Sequence, residues 1–158
     1  MTSDGAVGGD RPAPAVELDL QPHPEGGWYR QLWEAREQVA TARGERAAGT
    51  AVHYLLAPGE TSRWHSVAAD ELWLWQGGGP LTLTRAPQPV HDGAAVSVVL
   101  GPDRAAGQAL HALVPAGHWQ TAHPSGTSAS LVACVVAPGF TWQDFTVQSG
   151  PGAEPPPT

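Results

Sequence analysis

Hydrophobic residues in this chain occur in short runs separated by glycine and proline, which is typical of strands joined by tight turns. The run 50–56 is almost continuously apolar, and 28–33 places successive side chains on opposite faces of a strand. Further strands are predicted at 62–67, 71–76, 81–85, 95–100, 110–114, 117–122, 130–136 and 140–147. About ten short strands without a long helix predict an all-β fold, an antiparallel sandwich or barrel.

Both ends of the chain and one internal stretch lack this pattern. Residues 1–16 and 149–158 are small, polar or proline-rich, and we expect both to be disordered tails. Residues 34–49 are predicted to form a surface loop, and 91–93 a turn. The remaining range, 17–148, is then one folded domain.

Composition narrows the classes of partner. The net charge is −7, and the eight cationic residues are all arginine without a basic run. We therefore expect neither nucleic acid nor a membrane as partner. The single cysteine, Cys134, is predicted to be a core residue, and no leader or apolar span is apparent. These features favour a cytoplasmic protein in a reducing compartment.

One stretch has a regular spacing of glycine and titratable residues. Gly59 is followed six residues later by His65, six further on by Glu71 and seven further on by Gly78. This spacing resembles the first motif of the cupin proteins, in which a second histidine stands at the position of Val67.

A second stretch, from Pro115 to Gln120, resembles the second cupin motif, with Gln120 in place of its histidine. Together with other segments it is similar to the fifth cupin family, whose members are mostly labelled as domains of unknown function. The segments are 23–30, 64–73, 78–81, 100–103, 114–120 and 136–145. The resemblance implies a homodimeric jelly-roll barrel, the cupin double-stranded β-helix, with a cavity at one mouth. It also implies a structural likeness to sugar epimerases that act without metal.

The histidines are distributed differently from those of the family. The run 72–76 lacks a histidine that the family has there, His53 precedes Tyr54, and His111 replaces a glutamine. These differences suggest a specialised member.

His65 and Glu71 are the candidate acid–base pair. Burial of Glu71 among tryptophans would raise its pKa, whereas an ion pair with Arg30 or Arg63 would lower it. A histidine titrates near neutral pH in any case. Such a pair can transfer protons beside a carbonyl group in isomerisation, epimerisation, cyclisation or elimination, without a cofactor. The alternative is a structural hydrogen bond between the two side chains.

A divalent metal (Zn, Fe, Ni or Mn) is the other possibility at this place. His65, Glu71 and Gln120 would be its ligands. Catalytic zinc sites use three protein ligands, so a histidine from elsewhere would be needed to replace the weak glutamine. His53, His111 and His118 are the candidates.

The tryptophans near the two motifs predict a pocket for a flat or apolar metabolite. We expect the substrate to be bound by Arg30, His53, Trp64, Trp73, Trp75, His111, His118, Trp119 and Gln120. The loop 23–27 would contribute Glu25 and Arg30 to the pocket, where Arg30 would bind a carboxylate or phosphate. Alternatively, this loop is a tight turn that starts a strand exchanged between subunits.

Three functions follow from these residues. The first is an enzyme that acts by proton transfer on a small, largely apolar carbonyl compound in specialised metabolism. The second is a non-catalytic protein that binds a small molecule, and the third is a metal-dependent cupin oxygenase.

Overall fold

The computed structural model describes residues 10–88 and 94–148, so residues 1–9 of the predicted N-terminal tail, the predicted C-terminal tail and the turn at 91–93 lie outside the described residues. The strands are β1 (Gln21–Pro22), β2 (Trp28–Glu34), β3 (Gln38–Thr41), β4 (Gly44–Ala47), β5 (Thr50–Leu56), β6 (Ser62–Val67), β7 (Asp70–Gly78), β8 (Leu81–Ala86), β9 (Val96–Leu100), β10 (His111–Val114), β11 (Trp119–Pro124), β12 (Ser130–Ala137) and β13 (Phe145–Val147). The helices are α1 (Ala13–Glu17) and two 3-10 turns, Arg104–Ala106 and Trp142–Asp144. These described helices are all too short to cross a membrane.

Two antiparallel sheets form the molecule. One has six strands in the order β1-β2-β5-β12-β7-β10, and the other has five in the order β13-β6-β11-β8-β9. A main hydrophobic core lies between them, with Trp73, Leu56 and Leu83 at most 1 % exposed. This arrangement confirms the predicted all-β, double-sheet architecture with little helix.

Two segments differ from the expected organisation. Residues 34–49 were expected to be a surface loop, but they contain the hairpin β3–β4. Residues 13–17, expected to lie largely in a tail, form α1, because Ala15 is buried against Leu20 and Leu55. Neither segment has a strong hydrophobic period, so the contacts that order them are tertiary.

The β3–β4 hairpin is attached to the rest of the molecule by a buried ion pair. Arg46 Nε donates to Asp144 Oδ2 at 2.8 Å, and Arg46 Nη2 donates to Asp144 Oδ1 at 3.0 Å. Arg43 Nε adds a third bond to Asp144 Oδ1 at 3.2 Å. The hydrogen bond from Arg46 lowers the pKa of Asp144, and the charges of both arginines act in the same direction. The hairpin thereby holds the 3-10 turn Trp142–Asp144.

The loop between β1 and β2 is pinned to the barrel by two glycines. Gly26 has a φ of 105°, and a Cβ there would lie 2.5 Å from the carbonyl oxygen of Thr61. Gly27 has a φ of 76°, and its Cβ would lie 2.7 Å from the carbonyl oxygen of Leu55. Only glycine permits both the left-handed backbone and this close approach.

The outer face of the six-stranded sheet has hydrophobic side chains at its margins. Trp33 on β2 is 51 % exposed, and Leu113 on β10 is 49 % exposed. The homodimer expected from the sequence stays a prediction.

Replacing Gly26 with alanine is expected to destabilise the fold more than replacing Gly59. The left-handed backbone costs an alanine about 1–2 kcal/mol at either position. At Gly59 a Cβ meets nothing within 4 Å, whereas at Gly26 it collides with the Thr61 carbonyl. Denaturant unfolding of the two variants measures the difference, and equal losses would contradict the close packing of the loop.

Asp144→Asn is expected to be less stable than the wild type at neutral pH, because it removes the carboxylate that pairs with Arg46. The pKa of Asp144 is lowered in the folded protein, so the ion pair contributes fully above the ordinary aspartate range. Its contribution is lost as the pH falls through that lowered pKa. The difference in unfolding free energy between the two proteins should therefore shrink in acid, and a constant difference would contradict this role.

Candidate active site

A cavity of about 540 Å³ opens between the inner face of the six-stranded sheet, the β1–β2 loop and the segment before β13. Apolar atoms make up most of its surface, although about half of the lining side chains are polar or charged. The lining residues are Gln21, His23, Glu25, Tyr29, Arg30, Gln31, Glu34, Thr50, Val52, Tyr54, Glu71, Trp73, Cys134, Val136, Phe140, Thr141 and Trp142. A concave, largely apolar site with a few polar groups is the usual form of a small-molecule site.

Glu71 reaches this cavity from β7 and is held by a defined pair of hydrogen bonds. Its Oε1 accepts from Gln120 Nε2 at 2.7 Å, and Gln120 Oε1 accepts from Trp73 Nε1 at 2.8 Å. An indole N–H can only donate, so the amide must turn its oxygen to Trp73 and its NH₂ to Glu71. The carboxyl is thereby fixed through one oxygen while the residue still lines the cavity.

Burial raises the pKa of Glu71 to about 7. The charge of His65 and the hydrogen bond from Gln120 act against burial, while the charge of Glu25 acts with it. A carboxyl with a pKa near neutral exchanges its proton readily under physiological conditions.

A second carboxyl group, Glu25, lines the same cavity from the β1–β2 loop. Its Oε2 lies 3.1 Å from His65 Nε2, and its Oε1 accepts from Ser62 Oγ at 3.2 Å. Glu25 is 5 % exposed. Burial raises its pKa, and the charges of His23 and Arg63 and the hydrogen bond from Ser62 oppose this rise.

His65 lies behind the two carboxyl groups and does not line the cavity. Its Nδ1 is 2.7 Å from the carbonyl oxygen of Arg63. A carbonyl oxygen only accepts, so Nδ1 carries the hydrogen and Nε2 is the nitrogen that faces Glu25. Burial lowers the pKa of His65, against the opposing effects of Glu71 and the Arg63 carbonyl.

Aromatic rings form the wall opposite the sheet. The ring of His23 lies 4.6 Å from that of Tyr29 and 5.5 Å from that of Trp142. Phe140 lies 5.0 Å from Trp142 at an interplanar angle of 84°. The first and last of these contacts are edge-to-face, an arrangement that aromatic pairs favour, and together the rings form a continuous aromatic surface. The Arg46–Asp144 ion pair anchors the end of this wall.

The structure brings together five of the residues selected from the sequence. Glu71 and Trp73 line the cavity, exposed Arg30 lies at its rim, and His65 and Gln120 are buried behind it. The expected direct pairing of His65 with Glu71 is not found, because His65 pairs with Glu25 and Glu71 with Gln120. Glu71 also forms no ion pair with Arg30 or Arg63 among the described residues.

The other expected pocket residues lie outside the cavity. They are His53, Trp64, Trp75, His111, His118 and Trp119. His53 stands between Val52 and Tyr54, which line the cavity, so its side chain projects from the opposite face of β5. Trp64 and Trp119 are likewise sequence neighbours of the inward-facing His65 and Gln120.

The remaining three are excluded by their position along the barrel. Trp75 shares the face of Trp73 but lies further along β7, where it packs on the main core and donates to the carbonyl of Gly79 at 3.2 Å. His111 is exposed on the edge strand β10, and His118 lies in the turn before β11.

The residues present do not fit the expected metal site. Gln120 presents its NH₂ to Glu71, so no amide oxygen is directed at a cation. Val67, at the position of the second histidine, packs with Val136 and Phe145 in a separate cluster. Within residues 10–88 and 94–148, no three histidine, cysteine, aspartate or glutamate side chains are grouped for a metal ion. His53, His111 and His118 do not supply the missing ligand.

Sequence reasoning missed several residues of the site. His23, Tyr54 and Trp142 line the cavity, and Ser62 binds Glu25. The available signal was the Gly26–Gly27 pair, which marks a close approach of the loop to the barrel. Glu25 and Arg30, the two residues that this loop was expected to contribute to the pocket, are both among those that line the cavity.

The chain matches known proteins over nearly all of its length. The profile described as cupin superfamily (DUF985) matches residues 15–148. A hypothetical protein from Leishmania major is 28 % identical, with a TM-score of 0.78 and coverage of 88 % of each chain. A protein from Shewanella oneidensis is 33 % identical, with a TM-score of 0.78 and coverage of 89 % of this chain and 86 % of that one.

More distant structures share the fold alone. An uncharacterized conserved protein with a double-stranded beta-helix domain from Klebsiella pneumoniae is 17 % identical, with a TM-score of 0.55 and coverage of 85 % of this chain and 95 % of that one. No curated protein matches the chain. The spacing of the two motifs, the double-sheet barrel and the matched profile agree: this chain belongs to the DUF985 family of the cupin superfamily.

Proposed function

We propose that this cupin is an enzyme that transfers protons on a small, largely apolar carbonyl compound, in an isomerase, epimerase, cyclase or lyase reaction. The observation that carries the proposal is Glu71, a carboxyl group with a pKa of about 7 at the wall of an apolar cavity. Ionised Glu71 would act as the base that removes a proton from carbon beside the carbonyl group. The Gln120 amide holds that carboxylate in place through Oε1.

The surroundings of Glu71 support this class of substrate. Trp73, Phe140 and Trp142 offer flat apolar surfaces, which suit an unsaturated or aromatic compound. Arg30 borders the cavity but lies directly opposite His53 in the pairing of β2 with β5, so its side chain projects to the outer face and we assign it no contact with the substrate. No cofactor is required for this chemistry, because the proton moves between the substrate and protein side chains.

Glu71→Gln is expected to reduce proton transfer about 100-fold or more, the usual contribution of a general base. The measurement is deuterium incorporation into β-tetralone, a flat aryl ketone, followed by NMR in deuterium oxide. The wild-type rate should rise with pH through about 7, as Glu71 loses its proton and becomes the base. The variant should lose this rise.

Glu45→Gln, the same chemical change on the exposed strand β4, is the control and should behave as the wild type. Undiminished exchange by Glu71→Gln would remove Glu71 as the base. If the wild type binds β-tetralone with no exchange, and Glu71→Gln and His65→Ala bind it equally, the protein is a binding module instead.

Purified protein is expected to contain no stoichiometric Fe, Ni, Mn or Zn, because Gln120 and Val67 stand where ligands would be needed. Elemental analysis measures the content, and chelation followed by the exchange assay tests dependence. One equivalent of any of these metals, with exchange lost upon its removal, would favour the metal-dependent alternative.

A further inference from the structure

We propose that the cavity binds a positively charged organic compound, in which a protonated amine is attached to a flat apolar body. For the reaction this inference rests on the proposed function, and it names the class of substrate as a carbonyl compound that also carries an amine. The selection of charge itself follows from the side chains that face the cavity.

Three glutamate side chains face the cavity. Glu25 and Glu71 are buried in its wall, 5 % and 8 % exposed. The third, Glu34, is directly paired with Thr50 in the pairing of β2 with β5, and residues paired in this way share a face of the sheet. A register shift in β2 before this pair places Glu34 on that face. Because Thr50 lines the cavity, the exposed Glu34 stands at the cavity mouth.

Within the part of the chain that the structure describes, no positive charge projects into this cavity. Arg30 borders it but projects to the outer face, because its partner on β5 faces outward. His23 Nδ1 accepts the backbone N–H of Glu25 at 3.1 Å, so this nitrogen has a lone pair and the ring is uncharged. Arg63 lies outside the lining, where it donates to the carbonyl oxygen of Pro24. The charges that face a ligand are therefore negative.

One carboxyl oxygen of the cavity has no hydrogen-bond partner among the described residues. Glu71 Oε1 accepts from Gln120 at 2.7 Å, but no donor is bonded to Glu71 Oε2. Oε2 is not fully enclosed either, so it opens to the cavity that this side chain lines. Buried polar groups almost always have a partner, so a ligand with a hydrogen-bond donor completes this one. An ammonium group offers such donors together with the opposite charge.

The aromatic rings of the cavity suit the same kind of ligand. Tyr29 lies 6.2 Å from Trp142 and Phe140 lies 5.0 Å from it, both with an interplanar angle of 84°. Perpendicular rings present their faces in different directions, and the face of an aromatic ring attracts a cation. The same rings also provide contact for a flat apolar body. One ligand that has both parts uses the carboxyl groups and the rings together.

A cation also offsets the repulsion between the buried carboxyl groups. Two ionised carboxyl groups that face one enclosed space repel each other, and the charge of Glu25 contributes to the raised pKa of Glu71. A bound ammonium group removes this repulsion, whereas a neutral ligand leaves it and an anion adds to it. A metal ion is not the cation, because the described residues do not group three histidine, cysteine, aspartate or glutamate side chains around one point.

An amine beside the carbonyl group would also assist the reaction. The carbon between the two groups carries the C–H bond that breaks, so an ammonium group near Glu71 brings this bond to the same carboxylate. The proton forms an O–H bond with Glu71, and the electron pair forms an enolate whose negative charge lies close to the ammonium group. Return of the proton to carbon completes exchange, epimerisation or isomerisation, while Glu25 continues to attract the ammonium group.

Binding of three small probes tests the selection by charge. Benzylammonium, benzyl alcohol and benzoate share one ring and differ in charge, and titration calorimetry measures their affinities at a pH above the pKa of about 7 of Glu71. We expect benzylammonium to bind about 10-fold or more tightly than benzyl alcohol, the usual gain from a charged hydrogen bond, and benzoate to bind most weakly. Equal affinities for the first two, tighter binding of benzoate, or no binding of benzylammonium would overturn the proposal.

Glu71→Gln and Glu34→Gln test which carboxyl groups produce the preference. Glu71→Gln should reduce the preference for benzylammonium over benzyl alcohol about 10-fold, and its affinity for benzyl alcohol reports whether the cavity is intact. Glu34→Gln, at the exposed mouth, should reduce the preference about 2-fold to 5-fold and most at low salt, and it remains available if the buried variant does not fold. Glu45→Gln should leave the preference unchanged. A full preference in both Glu71→Gln and Glu34→Gln would overturn the proposal.

Proton exchange separates this proposal from the proposed function. Phenacylammonium has its amine on the carbon beside the carbonyl group, and acetophenone is its neutral match. Relative to each compound's uncatalysed exchange in deuterium oxide, the protein should accelerate phenacylammonium about 10-fold more than acetophenone at low concentration. Selective binding of benzylammonium without exchange of either ketone would overturn the proposed function and leave the selection of charge. Exchange of both ketones with equal acceleration would leave the proposed function and overturn the class of substrate.

Discussion

The chemistry of this cavity depends on the cost of burying charge. Two carboxyl groups and two imidazoles lie close together and are largely buried, and an ion there loses most of its solvation. Two of the groups around these side chains can serve only as a hydrogen-bond donor or only as an acceptor. The indole of Trp73 can only donate and the carbonyl of Arg63 can only accept, so the hydrogens on Gln120 and His65 have one arrangement each. The orientation of the Gln120 amide and the hydrogen on His65 Nδ1 therefore follow from chemically unambiguous partners.

The barrel supplies only part of this site. The strands provide Glu71, His65 and Gln120, whereas Glu25 comes from the β1–β2 loop and the aromatic wall from the segment before β13. These two additions are attached by different means. Glycine allows the loop to approach the barrel backbone, and a buried ion pair between Arg46 and Asp144 secures the wall. The shape of the cavity is thus controlled from outside the sheets.

Much of the architecture could be predicted, because strand alternation and turn residues are local properties. Thr50–Leu56 and Ser62–Val67 were predicted with the bounds that the structure has. The motif spacing also located His65 and Glu71 in the interior. It could not give their partners, since spacing specifies a strand position and not which atom of another element faces it. The β3–β4 hairpin was missed for the same reason, because its order comes from contacts of Arg46 with a residue far along the chain.

Several aromatic and histidine residues were assigned to the pocket from their nearness to the motifs. Nearness in a strand is a poor guide to a site, because adjacent side chains project to opposite faces. His53 illustrates this: it lies between two cavity residues and yet faces away. Counting alternate residues from Glu71 retains Trp73, but it also retains Trp75, which lies outside the cavity.

The Gly26–Gly27 pair has a consequence for how relatives of this protein should be grouped. One of the two buried carboxyl groups of the cavity, Glu25, lies in the short β1–β2 loop, which is outside both cupin motifs. Proteins that share the two cupin motifs but lack this loop would retain the cavity and lose one of its two buried carboxyl groups. A classification of such barrels by their chemistry should therefore compare the β1–β2 loop as well as the two motifs.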